Sequence, residues 1–216
     1  MRMVKLQGSL RAKHYMKKLV PIGIFLPTFF AFTSLFVLGQ TIKKNEIKRI
    51  DAYAKTVDAF VKRYKGPHLI FADVSHDGDP RWEKFASEKA LEKFRENSET
   101  YSIAYNWQKN QRILKSNFTL FSESGDWAQY VDYYFREDGT LARGESELRT
   151  FNGDYIVIRR HYFHRNGKLI HRSIKYLDLD TRKPKKPSDY LGDNSPWNVD
   201  YFKKTSKLPF AHLIKK

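Results

Sequence analysis

The chain has 216 residues, with 40 Lys+Arg against 24 Asp+Glu, a formal net charge of +16 at pH 7, and no cysteine. The absence of cysteine excludes disulfides, thiol catalysis, Cys-ligated zinc, iron–sulfur clusters and a lipid-acylated cysteine. Hydrophobic residues make up 41% of the chain, enough for one domain with a core and an appendage.

An apolar run at residues 19–39 dominates the class of protein that the sequence predicts. The run, LVPIGIFLPTFFAFTSLFVLG, carries no charge. As a helix it would cover about 30 Å, the thickness of a bilayer's hydrocarbon core. Pro21 and Pro27 weaken such a helix, but membrane helices tolerate proline. We expect an uncleaved, single-pass transmembrane signal anchor; the alternative is cleavage near Gly39 and secretion.

Basic residues set the expected orientation of this span. Six Lys or Arg lie in residues 1–18, and four follow the span within residues 40–49. This bias favours a basic cytoplasmic tail at 1–18 and an extracytoplasmic remainder, which in a bacterium means the inner membrane and the periplasm. Besides the membrane, the expected partners are anionic lipids, envelope polyanions, a partner protein or a second copy of the chain. No nucleic-acid partner is expected, because no nucleic-acid-binding signature occurs.

Residues 40–66 are predicted to form a juxtamembrane amphipathic helix. Apolar residues recur at steps of three and four through 42–64, and Gly66-Pro67 ends the pattern. The stripe comprises Ile47, Ile50, Ala54, Val57, Val61 and Tyr64. We expect it to pack on the domain that follows. The alternatives are self-association beside the membrane and a basic face, 43–49, lying on anionic headgroups.

The segment 67–182 is predicted to be an extracytoplasmic α+β domain. Residues 69–74, LIFADV, fit a short strand, and Asp79-Pro80 fits the N-cap and first residue of a helix over about 80–96. The fold class is therefore α+β: the transmembrane helix, then helices packed on an antiparallel up-and-down β-meander of about six strands.

The six strands follow from a change of apolar period to two after residue 100. They cover about 101–109, 112–122, 127–136, 140–151, 154–164 and 168–179. Because short turns join them, neighbours must pair antiparallel in sequence order. The remaining residues, 183–216, form a basic C-terminal extension. Its apolar residues predict packing along the sheet edge or across the open face of the sheet.

Two of the predicted hairpins are near copies, YYFREDGTL at 133–141 and HYFHRNGKL at 161–169. We call this pair the doublet. Asp138-Gly139 and Asn166-Gly167 are hairpin turn signals, because glycine adopts a positive φ without a Cβ clash. The doublet is therefore interpreted as one tight turn used twice and not as a repeated binding site.

The strand between these hairpins alternates charged and small residues on its two faces. The charged residues are Arg143, Glu145, Glu147 and Arg149, and the small face carries Ala142, Gly144, Ser146 and Leu148. A turn at Asn152-Gly153 predicts Glu145 opposite Arg160 and Arg143 opposite Tyr162. The charged face is expected to be a solvated salt ladder. The small face is expected to receive a close-packed helix, with a ligand as the alternative occupant.

Chemical motifs are weak in this sequence. Glu145 and Glu147 could act as an acid/base pair, with His161 as a further weak catalytic candidate, in a hydrolase-like envelope enzyme. No nucleophile-elbow, P-loop, dinucleotide or H-E-x-x-H motif occurs. A two-histidine metal site would need His161 opposite His171, in a register that the sequence leaves open. No metal and no cofactor are expected, and an enzyme is the less favoured class.

The favoured function is a membrane-anchored, non-enzymatic binding or assembly module for a partner protein or for an amphiphilic or anionic envelope ligand. Its ligand would lie in the concave face of the sheet. The candidate lining residues are Tyr105, Trp107, Phe118, Trp127 and Tyr134, although an ordinary core would use the same residues. The alternatives are the hydrolase-like enzyme and an oligomer assembled through helix 42–64.

Overall fold

A computed structural model of the chain describes residues 27–75, 78–192 and 195–214. The chain divides into two compact units, Met1–Gln40 and Thr41–Lys216. Helix α1 (Pro27–Val61) supplies the described part of the first unit and the beginning of the second. The predicted tail 1–18 and the start of the apolar run, 19–26, lie outside the described residues. Within the described residues, no helix is long and apolar enough to cross a membrane.

One eight-stranded antiparallel sheet forms the framework of the second unit, in the order β2-β1-β3-β4-β5-β6-β7-β8. The strands are β1 (Leu69–Asp73), β2 (Trp82–Phe85), β3 (Ser102–Lys109), β4 (Arg112–Phe121), β5 (Trp127–Phe135), β6 (Leu141–Thr150), β7 (Tyr155–Phe163) and β8 (Leu169–Asp178). From β3 onward each strand pairs with the next one along the chain. The up-and-down meander and its six predicted strands are confirmed, because alternating apolar residues and short turns act locally.

The first part of the sheet corrects the predicted strand count, because β1 and β2 extend the meander from six strands to eight. The predicted helix over 80–96 is wrong at its start. Its first residues form β2, and only α2 (Glu88–Arg95) is helical, with Ser87 and not Asp79 as its N-cap. A strand forms here instead of a helix because pairing with β1 partly buries Trp82. Its ring lies 5.6 Å from the Phe118 ring and 5.4 Å from the Phe210 ring.

Helix α1 covers one face of the sheet. The buried residues of its predicted stripe are Ile50, Ala54 and Val57. They pack against Leu114 and Tyr134 of the central strands and against Tyr162 and Ile170 farther along the sheet. The expected packing of the stripe on the following domain is thus confirmed. The helix ends at Val61, shortly before Gly66-Pro67.

The C-terminal segment, residues 195–214, covers the opposite face. Phe210 is fully buried, with its ring stacked 4.2 Å from that of Phe71. Tyr201 and Leu208 join the same core beside Phe135. The predicted extension 183–216 has both arrangements: Pro184 bridges Leu177 of the edge strand β8, and residues 195–214 lie across the open face. Its apolar residues therefore complete the main hydrophobic core of the sheet.

Strand β6 lies between these two layers and corrects two expectations. A Cβ added at Gly144 would lie 2.3 Å from Tyr201 Cδ1, so an irregular segment and not the predicted helix packs there. Ala142, from the same predicted face, does pack against α1. Arg143 is only 8% exposed, because α1 crosses its face of the sheet. The expected solvated ladder is wrong at that residue. The predicted pairs Arg143–Tyr162 and Glu145–Arg160 are confirmed.

Each hairpin of the doublet contains a register shift that the sequence pattern does not reveal. One lies between Tyr134 and Phe135, and the other between Tyr162 and Phe163. The extra residue of each bulge, Ala142 or Ile170, packs in a cluster with Ile50 of α1. Because of the second bulge, His171 lies opposite Tyr162 and not opposite His161.

Candidate functional site

The two turns of the doublet have the same local structure. Asp138 Oδ1 accepts a hydrogen bond from the Thr140 amide at 3.0 Å, and Asn166 Oδ1 accepts one from the Lys168 amide at 3.0 Å. Gly139 and Gly167 have φ of +78° and +82°. The doublet is therefore turn chemistry used twice, and it brings both turns to the same end of the sheet.

The tyrosines of the doublet attach α1 to the sheet. Tyr134 Oη donates to Asp58 Oδ1 at 3.0 Å, and Tyr162 Oη donates to Asp51 Oδ1 at 3.0 Å. Each carboxylate also pairs with a cation of the sheet: Lys115 Nζ lies 2.9 Å from Asp58, and Arg143 Nη1 lies 3.0 Å from Asp51. We call these two groups the aspartate clusters.

The aspartate clusters determine the direction of α1 across the sheet. Seven helical residues rise about 10.5 Å, and two strand spacings amount to about 9.5 Å. The step from Asp51 to Asp58 therefore matches the step from β7 to β5. As a result, α1 runs across the strands and brings its residues 45–53 beside the turns of the doublet.

A cleft of about 1130 Å³ lies between α1 and these turns. We call it the hairpin-end cleft. Its walls come from one stretch of α1, from the start of β4 and from the turns before β6 and β8. The lining residues are Asn45, Glu46, Arg49, Ile50, Tyr53, Arg112, Arg136, Glu137, Asp138, Ala142, His164 and Arg165.

Arg136 connects the two hairpins beside this cleft. Its Nη1 donates to the Leu141 carbonyl at 2.6 Å, and its Nη2 donates to the Phe163 carbonyl at 2.6 Å. Both acceptors are neutral, and no carboxylate among the described residues lies within ion-pair distance of the guanidinium. Partial burial and the nearby charge of Arg165 lower the pKa of Arg136. In the part of the chain that the structure describes, the cleft therefore holds a half-buried cation without a bonded anion.

Two of the three acidic residues of the cleft already have partners. Glu46 Oε1 lies 2.9 Å from His164 Nδ1. Asp138 bonds to Thr140 and pairs with Arg165, and these contacts, the Thr140 hydroxyl above all, lower the pKa of the Asp138 carboxyl. Within the described ranges, Glu137 is the remaining carboxylate of the cleft, against Arg49, Arg112 and Arg136. The local charge is therefore positive.

The three candidate catalytic residues do not come together. Glu145 and Glu147 share the face that α1 crosses, whereas His161 lies opposite Gly144 on the other face, with its ring 5.1 Å from that of Tyr201. Glu145 accepts from Arg160 Nε at 2.8 Å and Nη2 at 3.0 Å. Glu147 accepts from Arg149 Nε at 2.8 Å. Both carboxylates are thus held in ion pairs along the strands.

The five candidate lining residues are divided between the two faces of the sheet. On the face of α1 lie Tyr134, buried beneath the helix, and Tyr105 and Trp107, which line a smaller cleft of about 370 Å³. On the opposite face, Phe118 lies in the main core and Trp127 packs near Leu148. Only Tyr105 and Trp107 share a cavity.

The residues of the hairpin-end cleft escaped sequence reasoning. The sequence predicts Arg49 only as one of several cations that face lipid. It places Arg112 and Arg136 at the ends of strands and Arg165 in a turn, so the one signal that these three share is a position at or beside a predicted turn. Among the described residues, no group of three His, Asp or Glu side chains could hold a metal ion; the arginines suit an anion.

Comparisons of the chain with protein-family models, with curated proteins and with solved structures find no match. Class and site therefore rest on the geometry described above: an α+β domain with an eight-stranded meander, covered on both faces, and an arginine-lined cleft at the hairpin end.

Proposed function

We propose that the chain is a membrane-anchored, extracytoplasmic binding module that holds an anionic envelope ligand in its hairpin-end cleft. The observation that carries this proposal is the excess of arginine over available carboxylate in that cleft. Among the described residues, the half-buried Arg136 guanidinium bonds to two carbonyls and the Thr140 hydroxyl, all of them neutral. Such a group gains most from an anion, because partial desolvation strengthens the attraction.

The filled faces of the sheet favour the cleft over the concave face as the binding site. Tyr134 lies beneath α1, and Phe118 lies beneath the C-terminal segment. A ligand on either of these surfaces would have to displace a packed layer, which costs the hydrophobic free energy of that layer. The cleft needs no such displacement.

The anchor rests on residues 19–39, an uncharged apolar run of the length that a bilayer requires. Chain connectivity keeps Arg49 within about 35 Å of Gly39, since an extended residue spans at most about 3.5 Å. An anchored chain would therefore keep its cleft close to anionic headgroups.

Single-cysteine labelling of the full chain tests the anchor, because the chain has no cysteine of its own. We expect Phe151→Cys, at an exposed turn, to react with a membrane-impermeant maleimide in intact cells. Lys5→Cys should react only after lysis. A mature protein that begins at Gln40 contradicts the anchor, and the reverse labelling contradicts the extracytoplasmic orientation.

Photo-crosslinking tests the binding role. A benzophenone side chain at Asn45, in the cleft, is expected to give an adduct that Arg49→Gln abolishes, whereas the same group at Phe151 gives none. Loss of a measurable hydrolytic activity on Glu147→Gln, at an unchanged melting temperature, would instead favour the enzyme.

A further inference from the structure

All four cations that line the hairpin-end cleft, apart from His164, are arginines. Lysine outnumbers arginine in the whole chain by 25 to 15, yet no lysine of the described residues lines the cleft. Arginine presents five donors in a planar fork that matches oxyanions, whereas lysine offers one hydrated point charge. The choice of side chain points to a ligand that is recognised by several directed hydrogen bonds.

These arginines come from four separate parts of the fold. Arg49 lies on α1, Arg112 begins β4, and Arg136 and Arg165 lie in the two turns of the doublet. Donors that approach from several sides need an acceptor whose oxygens point in several directions. A tetrahedral phosphate has that property, whereas a carboxylate offers two oxygens in one plane.

The existing contacts leave donors available for such a ligand. Arg136 uses Nη1 and Nη2 on the carbonyls of Leu141 and Phe163, and Arg112 uses Nη1 on the Glu137 carbonyl at 3.1 Å. The two bonds of Arg136 orient its guanidinium, the single bond of Arg112 holds one of its nitrogens, and none of these acceptors is charged. Arg165 is engaged with Asp138. Three arginines therefore remain to balance the charge of a dianion, with Glu137 opposing them.

We infer that the hairpin-end cleft is a phosphate-binding site, with Arg136 at its base and Arg49 and Arg112 on its walls. This inference deepens the proposed function and rests on it. The phosphate belongs either to a membrane lipid headgroup or to a soluble phosphate compound, because the donors recognise the group that both share.

Titration calorimetry on the full chain in maltoside micelles, which contain no phosphate, tests the class of ligand. We expect inorganic phosphate to bind more tightly than succinate, a dianionic carboxylate, at neutral pH and low salt. Arg49→Gln should weaken phosphate binding about tenfold, the effect of losing one charge-assisted hydrogen bond. Arg63→Gln is the matched control, since Arg63 follows α1, is exposed and lies outside the cleft.

Two results would overturn the inference: equal phosphate affinity in the unmodified chain and in Arg49→Gln, or tighter binding of succinate than of phosphate. Arg112→Gln provides a second wall variant. Arg136→Gln is interpreted only together with its unfolding curve, because that side chain also joins the two hairpins.

Nanodiscs of phosphatidylglycerol distinguish the two sources of the phosphate. If headgroups occupy the cleft, the apparent affinity for inorganic phosphate falls about tenfold relative to micelles; if it is unchanged, the ligand is a soluble phosphate. Failure of this inference is separable from failure of the proposed function. If the Asn45 adduct forms but phosphate does not bind, the phosphate assignment fails and the binding module stands. If phosphate binds but the mature protein in cells begins at Gln40, the anchor fails and the phosphate site stands.

Discussion

Asp51 and Asp58 lie seven residues apart on α1, and each carboxylate accepts a hydrogen bond from a doublet tyrosine on the sheet. Each also pairs with a mostly buried cation, Arg143 or Lys115. The doublet of the sheet therefore corresponds to a pair of aspartates on α1, one for each hairpin. These contacts hold the helical wall of the hairpin-end cleft.

Loss of a cluster carboxylate is expected to destabilise the fold. Asp58→Asn removes the negative charge that pairs with Lys115, whose side chain is 12% exposed. Among the described residues, Asp132 is then the remaining ion-pair partner of Lys115. We expect the free energy of unfolding to fall by about 1 kcal/mol, a modest value because Asp58 itself is partly exposed. Chemical denaturation measures this loss, with the exposed Asp180→Asn as the control. The double variant with Asp51→Asn should be nearly additive, and an effect no larger than that of Asp180→Asn contradicts the role of the cluster.

Stability should decline in alkaline solution through Tyr134. Burial, reinforced by the charge of Asp132, raises the pKa of Tyr134 from 10.0 to about 12. Between these values the folded state keeps a proton that the unfolded state releases, so the contribution is complete below pH 10 and is lost as the pH rises through 12. Urea denaturation from pH 9 to pH 12 should show a shallower decline for Tyr134→Phe than for the unmodified chain. The exposed Tyr190→Phe is the control, and parallel curves for all three would refute the assignment.

The two turn glycines of the doublet should differ in their tolerance of alanine. Both have positive φ, which costs about 1 kcal/mol for a residue with a Cβ. A Cβ at Gly139 would also lie 2.8 Å from Thr205 Oγ1, whereas at Gly167 its nearest neighbour is Lys203 Cβ at 3.6 Å. Gly139→Ala should therefore lower the melting temperature more than Gly167→Ala. In the Gly139→Ala variant, adding Thr205→Ala removes the hydroxyl and should raise the melting temperature to that of Gly167→Ala. If the added substitution leaves the melting temperature of Gly139→Ala unchanged, the contact with Thr205 is not the cause.

The C-terminal segment should contribute strongly to stability. Phe210 is fully buried against Phe71, Phe118 and Trp82. We expect Phe210→Ala to cost about 3–5 kcal/mol of unfolding free energy, because it removes a large ring from a packed core. Phe151→Ala, at a position 68% exposed, should change stability by less than about 0.5 kcal/mol. Equal effects of the two variants in chemical denaturation would show that the segment is not part of the core.

The sequence predicts the meander well and the packing above it only in part. Turns such as Asp138-Gly139 and the alternation of β3 to β8 act between near neighbours, so their strands follow from local rules. The bulge residues Ala142 and Ile170 escape prediction, because one extra apolar residue still fits an apolar pattern. The sequence predicts helix where β2 lies, because the pairing of β2 with β1 and its contact with Phe210 depend on distant parts of the chain.

The candidate site was the least predictable part. Its arginines are widely separated in the sequence, from Arg49 to Arg165, and the crossing of α1 over the strands brings them together. That crossing depends on Asp51 and Asp58, whose spacing of seven residues fits any amphipathic helix. The spacing of the aspartates corresponds to that of the two tyrosines they contact, and the tyrosines reach that spacing only in the folded sheet.

Seven residues of α1 rise about as far as two neighbouring strand spacings, so the length of the helix and the width of the sheet are linked. A single residue inserted between Asp51 and Asp58 would rotate the second carboxylate by about 100° and carry it away from Tyr134. Another hairpin copied beside β8 would lie one such step farther along α1, seven residues before Asp51, where the helix already extends. The two layers therefore share one repeat, seven residues of helix for each 28-residue hairpin unit of the sheet, and a length change between Asp51 and Asp58 would break the match.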